Sequence, residues 1–259
     1  MYIDPMNIKP IHHRADLVRI AIQAMTERGL EPDFSEAVER QLAAIRGPSE
    51  ETGAGIRDLT HLLWCSIDND DSRDLDQLTV CEVLDNGAVR LWVAIADVDA
   101  LVKKGTPIDD HALFNTTSVY TSAVIFPMLP ERLSTDLTSL NFGVDRLAVV
   151  TEMVFNADAS LAGATVYRAK VHNKAQLAYD AVSAWIEGEA DLPEAAKRVV
   201  GMEAQLRTQD ALAQQMRVRR RQEGALELET IQPKAVFDGE AVVDIVQQVQ
   251  NRARQLIEE

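Results

Sequence analysis

A hairpin signal set between two runs of alternating apolar residues limits what this chain can fold into. Residues 78–84 and 89–96 flank Asp85-Asn86-Gly87. An Asn-Gly pair supplies the positive φ that a tight antiparallel turn requires. A sheet is therefore expected in this part of the chain. Residues 59–67 read as a further strand, and residues 147–155 and 161–171 as another pair around Asn156-Ala157-Asp158-Ala159-Ser160. Helical periodicity lies on both sides. Residues 13–28 place Leu17, Ile20, Ala21 and Met25 on one face. A second helix is expected from Asp33, with Asp33 and Glu36 as a capping pair, and Gly47-Pro48 stops it. Residues 47–55 read as a linker. The two helices suit a helix-turn-helix remnant or a plain packing arm. Further on, residues 175–187 read as a short helix and residues 193–223 as a long one closed by Gly224. Two short strands over residues 234–238 and 241–246 follow, then a helix from Gln248 to Glu259. There is no regular βαβ alternation, so the expected class is α+β: a mixed or antiparallel sheet with a long helix, preceded by a short helical segment. The expected division is residues 1–55 as the helical segment with its linker, and residues 56–259 as the main domain.

Composition narrows the function. Of 259 residues, 41 are Asp or Glu and 26 are Lys or Arg, a formal charge of -15 that argues against a bulk electrostatic binder of nucleic acid. Two cysteines, Cys65 and Cys81, make no disulfide framework and lack the company that zinc needs. The five histidines are scattered, and the pair His12-His13 lies at an expected helix start. No glycine-rich phosphate loop, nucleophile elbow or zinc-protease motif occurs. The first residues hold no apolar run of signal-peptide length, and no stretch is long enough to span a bilayer, so a cytoplasmic protein without membrane contact is expected.

One segment is unlike the rest. Residues 66–77 read SIDNDDSRDLDQ, with five aspartates within nine residues directly after an apolar strand. At this density carboxylates repel one another unless solvated or neutralised by a cation. A solvated acidic loop is one explanation; a site for hard divalent ions is the other. An EF-hand is excluded, because Arg73 stands where the turn glycine belongs and Thr79 where the bidentate glutamate belongs. A two-metal site fits better. Asp74 and Asp76 are two apart, so an extended backbone points both carboxylates the same way. Asp68 can return to the same place through the intervening loop. Two ions ~3.5–4 Å apart would activate a water and stabilise the leaving oxygen of a phosphodiester. Such ions invert the local electrostatics, so an acidic pocket can hold a polyanion.

The segment resembles the signature of the ribonuclease II / ribonuclease R (RNB) family of exoribonucleases. The resemblance continues through LWVAIADVDALVKKGTPID (residues 91–109), TSVYTSAVIFPMLPERLSTDLTSLN (117–141), NKAQLAYDAVSAW (173–185) and RRRQEGALELE (219–229). It implies a hydrolytic enzyme that degrades single-stranded RNA from the 3′ end to nucleoside 5′-monophosphates, using Mg2+ or Mn2+. It also implies Asp68, Asp74 and Asp76 as metal ligands, with Asp74 and Asp76 catalytic, Tyr120 against the 3′-terminal nucleotides and Tyr179 further along the RNA. Full-length members are expected to be monomeric.

The chain departs from the family pattern in three ways. Gln77 stands where a fourth aspartate is usual, which would weaken one metal site or move its duty to Asp70 or Asp71. Leu228 stands where a second clamping aromatic is usual. The family's catalytic domain extends beyond Glu259, so the chain is expected to be its amino-terminal part, weak or inactive alone. Arg217, Arg219, Arg220 and Arg221 suit either the negative helix end or RNA phosphates. Two other readings remain open: a non-catalytic RNA-binding relative, and a divalent-cation-binding acidic domain without RNA.

Overall fold

The computed structural model describes residues 14–226, 233–239, 241–247 and 250–259. Along the chain the elements are α1 (Arg14–Glu27), α2 (Glu36–Ala44), β1 (Ile56–Asp58), β2 (Cys65–Asp68), β3 (Gln77–Val83), β4 (Val89–Ala96), α3 (Pro107–Asn115), β5 (Val119–Tyr120) and β6 (Ile125–Phe126). Then come β7 (Asp145–Phe155), β8 (Leu161–His172), β9 (Ala175–Ala178), α4 (Tyr179–Ile186), α5 (Glu194–Lys197), α6 (Met202–Gln222), β10 (Pro233–Asp238), β11 (Ala241–Gln247) and α7 (Arg252–Glu258). The class is mixed α and β, as expected. His12, His13 and Leu228 lie outside the described residues.

The elements group into two compact units. Among the described residues, one draws on residues 14–44, Gly105–Pro130, 233–239 and 241–247. Its helices are joined by polar bonds as well as apolar packing. Asn115 on α3 accepts the Glu31 N–H at 2.9 Å and donates to the Glu31 carbonyl at 2.8 Å, tying α3 to the α1–α2 connection. His111, buried one turn earlier, lies 3.3 Å from the Glu31 carboxylate and packs against the Phe34 ring. The cap of α2 is Ser35, whose Oγ accepts the Val38 N–H at 3.4 Å, so the helix starts later than the Asp33 expectation.

Among the described residues, the other unit draws on Ile45–Lys104, residues 131–226 and Gln250–Glu259. It holds a seven-stranded mixed sheet in the order β1-β8-β7-β4-β3-β2-β9. The central pairs are antiparallel, while the outer pairs β1–β8 and β2–β9 are parallel. The β3–β4 hairpin forms where Asn86-Gly87 placed it. Only Gly87 takes positive φ (78°), and the Leu84 N–H bonds the Ala88 carbonyl, so three residues rather than two make the loop.

Alternation along β2 supplies two cores. Cys65 and Ile67 join Leu177, Val182, Trp185, Met202, Leu206 and Leu256 beneath α4, α6 and α7. Trp64 joins Leu78, Val80, Trp92 and Val150 in a second cluster. Of the expected strand over 59–67 only residues 65–67 form strand, as part of β2; residues 59–64 are a turn that follows β1. The expected helix over 193–223 is also broken: Val199, Val200 and Gly201 interrupt it, and Gly201 takes φ +90°. Two β-branched residues and a glycine are poor helix formers in sequence, which explains the break.

Candidate metal and RNA site

Asp68 ends β2, and its place there follows from strand pairing. Parallel β9 runs alongside with Asp68 opposite Ala178. The next residue, Tyr179, opens α4. Residues 175–187 are therefore a strand and then a helix, not the single helix expected, and this switch delivers Tyr179 beside the end of β2. The Asp68 Oδ1 accepts the Asn69 N–H at 2.7 Å and the Ser72 hydroxyl at 2.8 Å. Both bonds use one oxygen and close the acidic turn. Asp70 and Asp71 are exposed on that turn.

The Asp74–Asp76 segment is held by its centre. Leu75 is 2% exposed, its N–H donates to Ser139 Oγ at 2.9 Å, and its carbonyl accepts the Leu140 N–H at 2.8 Å. Burying a leucine contributes about 2 kcal/mol. With Leu75 turned into the core, Asp74 and Asp76 turn away from it, as their two-residue spacing predicts. The Asp76 carbonyl accepts the Ala96 N–H at 3.0 Å, which joins this segment to the end of β4. Gln77 follows as the first residue of β3, opposite Ile95.

Asp76 feels the other two carboxylates. The Asp76 side chain keeps access to solvent, while surrounding protein removes part of its hydration. That desolvation, then the negative charge of Asp74, then that of Asp68, push its carboxyl up to about 6. Among the described residues, no three Asp, Glu, His or Cys side chains stand close enough to enclose an ion as they are. The donors are carboxylate oxygens, the ligands that hard divalent cations take. A cation would offset the like charge that burdens Asp76. By donor chemistry, Asp68, Asp74 and Asp76 could hold Mg2+.

Tyr179 is also coupled to this place. Its hydroxyl is pushed above the usual tyrosine range by burial and by the Asp68 charge, with Arg254 acting in the opposite direction. Arg254, on α7, lies with its guanidinium carbon 4.5 Å from the Tyr179 ring centroid and donates to Asn69 Oδ1. Sequence reasoning missed Arg254, because nothing local marks a contact between residues 185 positions apart. It also missed Asn173, a buried amide that donates to Ser66 Oγ at 3.1 Å and to the Leu140 carbonyl at 2.9 Å. Tyr120 belongs to the other unit, where it pairs with Ile125 across the β5–β6 hairpin and is 61% exposed. In the basic run, Arg219 pairs with Glu223 at 2.9 Å and with Asp158 at 3.7 Å, and Arg220 with Glu259 at 3.3 Å.

Residues 56–259 match the RNB domain. The chain belongs to the RNB family. Ribonuclease R of Vibrio parahaemolyticus is 37% identical over 88% of this chain and 27% of its own length. Ribonuclease R of Escherichia coli is 38% identical over 87% of this chain and 28% of its own length. A solved structure of Mycoplasma genitalium RNase R, in complex with ribose methylated single-stranded RNA, superposes with a TM-score of 0.81 at 26% identity, over 93% of this chain and 37% of that one. The chain thus spans less than a third of the length of these curated relatives. In RNB terms, the aspartate turn and Tyr179 both lie within the matched residues. No helix among the described residues is long and apolar enough to cross a membrane.

Proposed function

We propose that this chain provides the metal-binding part of a hydrolytic 3′→5′ exoribonuclease acting on single-stranded RNA and releasing nucleoside 5′-monophosphates. The observation that carries the reading is the placement of Asp68 at the end of β2, with Asp74 and Asp76 flanking the buried, hydrogen-bonded Leu75 just before β3. When bound, Mg2+ polarises the phosphodiester and lowers the cost of activating water for in-line attack. Asp68, Asp74 and Asp76 would hold the cations, with Asp74 and Asp76 as the catalytic pair. Tyr179 offers a ring on which a base can stack, and Tyr120 offers a second, more exposed one; neither requires a particular base. Mn2+ suits the same oxygen donors. The natural setting is the cytoplasm, with the full-length protein a monomer.

The full-length protein should lose turnover of 5′-labelled single-stranded RNA on Asp76→Asn by at least about a hundredfold, while still retarding that RNA, because the stacking contacts remain. Normal turnover by the variant would overturn the metal assignment. Gln77 favours a second reading, a non-catalytic RNA-binding relative, because an amide brings no charge to a second cation. Stable retardation without Mg2+-dependent shortening of the RNA would establish that reading instead.

A further inference from the structure

Arg254 joins the two halves of the proposed site. Its guanidinium covers the Tyr179 ring and also donates to Asn69, the residue whose N–H bonds the Asp68 carboxylate. An unbroken series of contacts therefore runs from the aromatic ring through Arg254 and Asn69 to a carboxylate of the metal site. Docking of α7 has other anchors besides this side chain. Asn251 caps α7 by accepting the Arg254 N–H at 3.0 Å, and its side-chain amide donates to Asp180 at 2.8 Å on α4. Arg252 adds a backbone bond to Ser183 Oγ at 3.0 Å and a two-pronged pair with Asp210 at 2.6 and 2.9 Å on α6. The backbone of Arg254 serves the cap, while its guanidinium serves Tyr179 and Asn69. A planar fork suits this double duty, because one face stacks on the ring while an edge N–H points along the plane.

We propose that Arg254 is a positioning residue that couples RNA seated on Tyr179 to cation binding at Asp68. The proposal rests on the exoribonuclease reading above. A base that settles on the ring fixes the guanidinium, which fixes Asn69 and so the Asp68 turn. By thermodynamic reciprocity RNA then tightens Mg2+ binding, and Mg2+ tightens RNA binding.

The test measures the Mg2+ concentration that gives half-maximal turnover of a 5′-labelled single-stranded oligoadenylate by the full-length protein, once at low and once at saturating RNA, and in parallel the Mg2+ dependence of its Kd for an uncleavable phosphorothioate oligoadenylate. The native protein should need less Mg2+ at saturating RNA, by about fivefold or more, the lower end of ordinary coupling between sites. In Arg254→Met the two concentrations should coincide, and the KM for RNA should rise about tenfold, the loss of one contact to a charged group. Arg254→Lys keeps charge without the fork and should fall between. Asn69→Ala cuts the same series at its other end and should uncouple in the same way, even if Arg254→Met folds poorly. A purely structural arginine would lower the melting temperature and leave the dependence of Mg2+ demand on RNA intact. That result, or a native protein whose Mg2+ demand ignores RNA, overturns the proposal. Two controls separate the claims: if the native protein retards the RNA without shortening it the exoribonuclease reading fails, if Asp76→Asn turns over normally the metal assignment fails, and if Asp76→Asn is inactive while Arg254→Met stays coupled only the inference about Arg254 fails.

Discussion

Gly87 and Gly201 both take positive φ, and the space around them differs. A Cβ at Gly87 (φ +78°) would meet nothing within 4 Å, whereas at Gly201 (φ +90°) it would lie 3.0 Å from Leu63 Cδ1. Left-handed backbone costs an L-residue about 1–2 kcal/mol. Gly87→Ala should therefore lose about 1 kcal/mol by urea denaturation, and Gly201→Ala about 2 kcal/mol or more, because Leu63 must also shift. Equal losses would contradict the break before α6. A second residue sets an acid response. Asp145 accepts from Lys170 Nζ at 2.7 Å and stands 2.7 Å from His172 Nδ1 across the β7–β8 pair. Those two bonds, Lys170 first, hold its carboxyl below the usual range. The folded state thus binds this proton less readily than the unfolded chain. The contribution is present above the ordinary carboxylate range, and it is lost as pH falls through the depressed value. Asp145→Asn should narrow the stability gap between neutral pH and about pH 3, by less than about 1 kcal/mol because the pair is exposed. Denaturant midpoints at the two pH values check it, and an unchanged gap would refute it.

Elements were legible where chemistry is local. Asn86-Gly87 announced β3 and β4, and the aspartate spacing around Leu75 announced the direction of two carboxylates. Elements fixed by distant partners were not. Ala175–Ala178 has the composition of a helix start, yet it forms β9 because β2 offers a free parallel edge. The aspartate turn could be read without knowing its neighbours, whereas Tyr179's approach to it depended on that strand. Gln205 is another case, since nothing in sequence marks it as part of the sheet. From α6 its Oε1 accepts the Cys81 N–H at 3.1 Å and its Nε2 donates to the Leu63 carbonyl at 2.8 Å. It acts as a replacement strand where β2 is too short to pair with Cys81, because β2 meets β3 only at Cys65 opposite Thr79. Burial likewise pushes the Cys65 and Cys81 thiols up to about 12, which suits packing and not reactivity. Gln205→Leu keeps the volume but strands two buried backbone groups. It should cost about 3 kcal/mol by urea denaturation, at 1–3 kcal/mol per unsatisfied group. A loss under about 1 kcal/mol would mean that α6 is not bonded to this edge.

At the scale of the whole molecule, the charge of -15 acts in two ways that experiment can separate. Diffuse self-repulsion among 41 acidic and 26 basic side chains is relieved by any salt, to a degree set by ionic strength. The concentrated charge at Asp68, Asp74 and Asp76 responds to a cation held between oxygens, which ionic strength alone does not supply. MgCl2 and NaCl at equal ionic strength should therefore raise the melting temperature unequally. The excess due to Mg2+ measures the site, since an ion that binds only the folded state stabilises it by mass action. Asp76→Asn removes one proposed ligand and one like charge together. The variant should be at least as stable as the native chain without metal, and it should lose most of the Mg2+ excess while keeping the NaCl response. An excess that survives in Asp76→Asn would place the cation elsewhere in the acidic surface. Equal effects of the two salts on the native chain would reduce the aspartate turn to diffuse charge, and the acidity would then carry no information about catalysis.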